Sequence, residues 1–141
     1  MQGYSTQEPA PIERHGDGYQ FRYNIEQVER ETDDGTVTEY RYDYIDVPMG
    51  EPGADLNRSY YKAVRAAKMD SLTVATTGGK VFDADEISQA RMARALQTAD
   101  FTGQTETPWV LADNSVANVS ADEMREALAL AMQAQAALWF A

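Results

Sequence analysis

The stretch GGKVFDADEISQARMARALQTA, residues 78–99, decides the fold class of this chain. LTVAT before the Gly-Gly pair and KVF after it form two short apolar segments around a turn, which predicts a β-hairpin. Asp83-Ala-Asp-Glu86 follows as a predicted capping box, with Asp83 accepting from helix N–H groups and Glu86 reaching back. The apolar spacing after it predicts a helix.

The same order recurs at residues 107–140, TPWVLADNSVANVSADEMREALALAMQAQAALWF. Asp113-Asn114 predicts the turn of a second hairpin, and Ser120-Ala-Asp-Glu123 predicts a second capping box before a long Ala- and Leu-rich helix. An amphipathic helix with a basic stripe precedes both units, beginning near Ala54. We therefore expect residues 58–141 to form a compact helix-hairpin-helix-hairpin-helix domain.

The N-terminal part has the alternation of β-strands. Tyr19, Phe21, Tyr23 and Ile25 share one face, and the phase slips between Ile25 and Val28, as it would at a bulge or where core contact ends. A turn at TDDGT, residues 32–36, leads into a second alternating run, so residues 17–47 are predicted to form a long antiparallel hairpin. The first 16 residues contain Pro9 and Pro11 and are expected to be an extended arm.

These patterns predict an α+β protein in which an N-terminal antiparallel β-hairpin arm precedes the compact domain. The arm and hairpin occupy residues 1–50, a linker rich in Pro and Gly occupies 51–57, and the α+β domain occupies 58–141. A two-stranded hairpin of this length is marginal in water, so we expect it to lie on another part of the chain or on a partner.

Composition excludes several classes of function. The 141 residues include 12 Lys and Arg against 23 Asp and Glu, a net charge of −11, which disfavours binding to nucleic acid or an anionic membrane. No apolar run is long enough to span a bilayer, and the N-terminus lacks the features of a signal peptide.

The inventory of reactive side chains is also small. The chain has no Cys, its one His is His15 in a loop-like segment, and nucleotide-binding, nucleophile-elbow and zinc-protease motifs are absent. The acidic residues before the two predicted helices could bind a metal, but helix capping explains them better. We predict a protein that is not an enzyme and has no cofactor or metal.

Residues 58–141 resemble the C-terminal domain of unknown function found in tailed-bacteriophage tail proteins and in relatives of tail fibre assembly proteins. The shared pattern is a basic helix, a Gly-Lys turn, an Asp-x-x-Ser helix start, a Trp strand, Asp-Asn and a long Ala/Leu helix. The matching positions are Lys80, Phe82, Asp85, Ser88, Trp109, Asp113, Asn114 and Ala127 through Leu138. The resemblance implies a tail, baseplate or tail-fibre adaptor without enzymatic activity, made in the host cytoplasm and present in the virion.

The expected partners are other phage tail or tail-fibre proteins. Many copies of this chain are expected to bind them in a symmetric assembly. A tail fibre assembly chaperone is the alternative, and a small hydrolase or metal-dependent enzyme is a hypothesis from another class. Five aromatic residues are the candidate partner contacts: Tyr40, Tyr42, Tyr44, Trp139 and Phe140. The tyrosines could instead stabilise the hairpin by cross-strand pairing, and the last helix could be the core helix.

Overall fold

A computed structural model describes residues 1–48 and 55–140. The chain contains both helices and antiparallel sheets, as the sequence predicts. It divides into two compact units, Met1–Val64 and Arg65–Ala141. This division falls inside a helix, whereas the sequence places the boundary in a linker at residues 51–57, of which 51–54 lie outside the described residues.

The first unit contains one four-stranded antiparallel sheet. In chain order the strands are β1 (Gln2–Ser5), β2 (Ile12–His15), β3 (Gly18–Thr32) and β4 (Gly35–Pro48), and in the sheet they lie in the order β1-β4-β3-β2. The pair β3–β4 is the hairpin that the sequence predicts. The first 16 residues, predicted to be an extended arm that is ordered only with a partner, include two strands that pair within the chain, β1 with β4 and β2 with β3.

A β-bulge divides the hairpin into a broad base and a narrow tip. Tyr23 pairs with Asp43 and Glu26 pairs with Arg41, so two residues of β3 face one of β4, and Asn24 has a φ of 50°. β2 pairs with β3 as far as Phe21, before the bulge, whereas β1 pairs with β4 as far as Tyr40, just past the bulge. The tip, residues 28–32 with 35–39, is formed by β3 and β4 alone and ends at the Asp33-Asp34 turn.

Helix α1 (Leu56–Asp70) begins at an N-terminal cap and contributes to the core of the first unit. The Asp55 carboxylate accepts a hydrogen bond from the Asn57 N–H at 3.0 Å, so the last residues of the predicted linker are helical. The Tyr60 ring meets the buried Phe21 edge-on, with centroids 5.6 Å apart, and its hydroxyl donates to the Arg22 carbonyl at 2.6 Å. Through these contacts, the first turns of α1 cover the apolar side of β3.

The second unit places two short hairpins around two helices. Its elements after α1 are β5 (Thr73–Ala75), β6 (Val81–Asp83), α2 (Glu86–Thr102), β7 (Glu106–Val110), β8 (Val116–Ser120) and α3 (Ala121–Phe140). β5 pairs with β6 and β7 pairs with β8, both antiparallel. The core contains the buried side chains Phe82, Met92, Val119, Met124 and Ala127.

The helix starts differ in part from the sequence prediction. The N-cap of α2 is Asp85, whose carboxylate accepts from the Ser88 N–H at 3.1 Å. Asp83 does not cap the helix, because it pairs with Thr73 in the β5–β6 ladder and its backbone is still extended. Ser120 caps α3 as predicted, accepting from the Glu123 N–H at 3.1 Å.

Candidate protein-binding surfaces

The three candidate tyrosines lie on one face of β4, and they differ in exposure. Tyr42 is only 8% exposed, whereas Tyr40 and Tyr44 are half-buried. A side chain at Gly3 would meet the Tyr42 ring at 2.7 Å, so the glycine permits β1 to approach this ring closely. The Tyr42 and Tyr44 rings are tilted, with centroids 6.2 Å apart. Tyr42 therefore packs within its own sheet.

Arg22 also lies over the Tyr42 ring. Its guanidinium lies 5.1 Å from the ring centroid and forms an ion pair with Glu13. Its Nε donates to Gln20 Oε1 at 2.7 Å, and Gln20 in turn donates to Asp46 at 3.1 Å. This network joins β2, β3 and β4, and the sequence gives no signal for it beyond the alternation of Gln20 and Arg22 on one face.

A polar recess of about 480 Å³ lies beside the bulge of the first unit. It is bordered by Asn24, Ile25, Glu26, Arg41 and Asp43, with Gln2 and Tyr42. The Asn24 amide donates to Asp43 at 2.8 Å, and Glu26 pairs with Arg41. Burial, with a smaller contribution from Asp43, raises the pKa of the nearby Tyr23.

The other two candidates lie at the end of α3 and are more exposed. Trp139 is 41% exposed and Phe140 is 90% exposed. The Arg65 guanidinium lies 5.2 Å from the centroid of the Trp139 ring, which holds one face of the indole. Ile87 of α2 and Met132 of α3 are also exposed large apolar residues of this unit.

Two shallow recesses border Trp139. One, of about 270 Å³, is bordered by Asp70, Asp85, Glu86, Ile87 and the end of α1, and the other, of about 290 Å³, by Gln89, Met132, Ala136 and Phe140. Gln135 accepts from Gln89 at 3.0 Å, which links α2 and α3 beside these recesses. We call Ile87, Met132, Ala136, Trp139 and Phe140 together the α3-end surface.

A second polar cluster fixes the β5–β6 turn onto α3. Glu123 accepts from Thr76 Oγ1 at 2.8 Å and from Lys80 Nζ at 2.7 Å, while Glu126 accepts from the Thr77 N–H at 2.7 Å. The hydrogen bonds from Lys80 and Thr76 to Glu123, with the Lys80 charge, hold the pKa of Glu123 below its usual value. The prediction that Glu123 closes a capping box is wrong, because its carboxylate reaches the hairpin instead of the backbone of Ser120.

Within residues 1–48 and 55–140, no group of three or more His, Asp or Glu side chains is placed to hold a metal ion. Among the helices the structure describes, none has the length and apolar character needed to cross a membrane.

The fold and these surfaces define a mixed α and β protein with exposed apolar side chains at the end of its last helix. Residues 56–141 match the sequence model of a family described as Domain of unknown function (DUF4376), and the chain belongs to this family. No curated protein and no solved structure matches the chain.

Proposed function

We propose that this chain is a non-enzymatic structural or accessory protein of a bacteriophage tail, in the tail, baseplate or a tail-fibre adaptor, where it binds other virion proteins. The observation that carries the proposal is the α3-end surface. The virion context rests on the resemblance to phage tail domains that we infer from the sequence of residues 58–141. In this proposal the predicted helix-hairpin-helix-hairpin-helix domain carries the surface that binds other virion proteins.

The α3-end surface has the chemistry of a protein contact. Trp is enriched among the residues that dominate binding energy, and an indole already stacked by Arg65 has fewer orientations to lose on binding. Phe140 and Met132 add exposed apolar area next to it. An apolar patch with a polar border is the usual sign of an interaction site in a folded protein.

The best-positioned polar side chains of the second unit have structural roles, which supports a non-enzymatic function. Asp85 and Ser120 cap helices, and Glu123 joins a hairpin turn to α3. The net charge of −11 favours protein partners over nucleic acid or membrane surfaces. The proposed location is the virion, after synthesis in the host cytoplasm, with many copies arranged symmetrically.

The test is quantitative analysis of purified virions of the phage that encodes the chain. A virion protein is present at a fixed copy number that survives extensive washing. Absence from the particle, combined with binding to the unassembled tail fibre, would instead identify the assembly chaperone.

The role of the α3-end surface is tested with a matched pair of variants. Phe140→Asp is expected to reduce incorporation into virions at least tenfold, because it places a charge in the contact. Phe101→Asp is the control, since Phe101 is 93% exposed on α2 and lies outside the α3-end surface. Equal incorporation of both variants would exclude this surface as the contact.

A further inference from the structure

The tip of β4 has an unpaired backbone edge. β1 pairs with β4 from Asp43 to Tyr40, and the Tyr44 N–H donates to the Met1 carbonyl at 2.9 Å. Backbone groups alternate in direction along a strand, so Thr36 and Thr38 point to the same side as Tyr40 and Tyr44. Within residues 1–48 and 55–140, no strand pairs with this edge between Gly35 and Glu39.

The opposite edge of the tip is protected, and the β4 edge is not. On β3 the bulge beside the tip interrupts the ladder and bends the strand, which discourages strand addition. On β4 the tip reads GTVTE, an exposed β-prone segment whose only charge is Glu39. Glu39 already pairs with Arg30 at 2.8 Å. The β4 edge is therefore the more receptive of the two.

The acidic charge around this edge favours a basic partner. Residues 26–41 contain six acidic and two basic side chains, and both basic ones pair with carboxylates, Arg41 with Glu26 and Arg30 with Glu39. Among the described residues no cation pairs with Glu29, Asp33 or Asp34. Two copies of this tip would bring like charges together, so self-pairing is disfavoured and a basic segment is favoured.

We propose that the open edge of β4, from Gly35 to Glu39, binds an extended basic segment of a partner protein by strand addition. The inference deepens the proposed function and rests on it, since it names the chemistry of one partner. The added strand would bond with the outward N–H and carbonyl groups of Thr36 and Thr38. It would lie about 4.8 Å from β4, which places alternate Lys or Arg side chains near the carboxylates of the tip.

The probe is a labelled nine-residue peptide in which Lys alternates with Val and Thr, measured by fluorescence anisotropy on the full chain. A peptide with Glu in place of each Lys is the charge control. We expect the Lys peptide to bind, the Glu peptide not to bind, and the affinity to fall several-fold between about 50 and 200 mM salt as screening increases. Binding should also slow amide hydrogen exchange at Thr36 and Thr38.

A matched pair of proline variants locates the site. Thr38→Pro removes one outward donor of the β4 edge, which an edge strand tolerates, and should weaken binding about fivefold or more. Gln27→Pro removes an outward donor from the opposite edge without changing the charge, and should bind like the wild type. Hydrogen exchange at the inward Val37 amide verifies that the hairpin is intact in both variants.

A charge variant separates the electrostatic contribution. Asp33→Asn with Asp34→Asn keeps the turn-forming side chains and should reduce both the affinity and its salt dependence. Equal binding of the two proline variants, or equal binding of the Lys and Glu peptides, would overturn the proposal. The virion assay above uses no peptide, so failure of strand addition and failure of the tail function give different results.

Discussion

The Lys80 ammonium lies 2.7 Å from the Glu123 carboxylate, and this ion pair joins the β5–β6 hairpin to helix α3. The Thr76 hydroxyl donates to the other oxygen of the same carboxylate. A side chain at Gly78 would come within 2.8 Å of Glu123, so a glycine in this turn lets the hairpin approach the helix. The Glu123 carboxylate thus joins α3 to a hairpin whose Lys80 is 43 residues away in sequence.

The first prediction concerns the strength of this contact. Glu123→Gln should lower the free energy of unfolding by about 1–2 kcal/mol, because the charged acceptor of two hydrogen bonds is lost. Urea unfolding of both proteins measures the difference. Asp122→Asn is the matched control, since Asp122 is 95% exposed and its ion pair with Arg125 should contribute little. Equal losses in the two variants would contradict the assigned role.

The second prediction is a pH dependence. Because hydrogen bonds and Lys80 lower the pKa of Glu123 in the folded state, the contact stabilises the fold fully above the ordinary Glu pKa. That stability is lost as the pH falls through the lowered folded pKa. Urea midpoints measured between about pH 3 and 6 should fall more steeply for the wild type than for Glu123→Gln. Parallel curves would show that Glu123 does not titrate in this window.

The third prediction distinguishes the two aspartates before α2. Asp85→Ala should cost about 0.5–2 kcal/mol, the usual effect of removing an N-cap. Asp83→Ala should cost much less, because Asp83 is exposed at the end of β6 and caps no helix. Thermal unfolding of both variants measures the difference, and a larger loss for Asp83→Ala would restore the capping box that the sequence suggests.

The fourth prediction concerns β1. Gly3→Ala should destabilise the pairing of β1 by about 1–3 kcal/mol, because the new methyl group would overlap the buried Tyr42 ring. The measurement is amide hydrogen exchange at Tyr44, whose N–H donates to Met1. Gln2→Ala is the control in the same strand, since Gln2 is exposed. Unchanged exchange in Gly3→Ala would mean that the ring moves aside without cost.

Local patterns predicted much of the first unit. The alternation of Tyr19, Phe21 and Tyr23 and the turn at Asp33-Asp34 predict the hairpin. The slip in phase is compatible with a bulge or the end of core contact, and the structure has a bulge between Tyr23 and Glu26. β1 and β2 carry no comparable pattern. QGYS and IERH become strands because they pair with β4 and β3, and the sequence of a short edge strand does not reveal which distant strand it joins.

Side-chain roles were harder to predict, because their partners also come from distant parts of the chain. Local spacing correctly gives Ser120 as a cap, because its acceptor and donor are three residues apart. Glu123 has the spacing of a capping residue, yet its partners Thr76 and Lys80 come from another element. Tyr42 also depends on distant residues, since Gly3 and Arg22 enclose its ring. The exposure of Trp139 and Phe140 agrees with the terminal aromatic pair being a contact candidate, and their binding role stays a prediction.

Because β3 has one extra residue at Asn24-Ile25, the direction of the hairpin tip does not depend on which residues of β3 and β4 pair. Deleting either residue would restore one-to-one pairing between Tyr23/Asp43 and Glu26/Arg41, so every other cross-strand partner would be kept. The added bend and twist of the bulge would be lost, and the acidic tip would point elsewhere. Insertion or deletion of one residue can therefore change the direction of the tip while the cross-strand pairs of β3 and β4 stay the same.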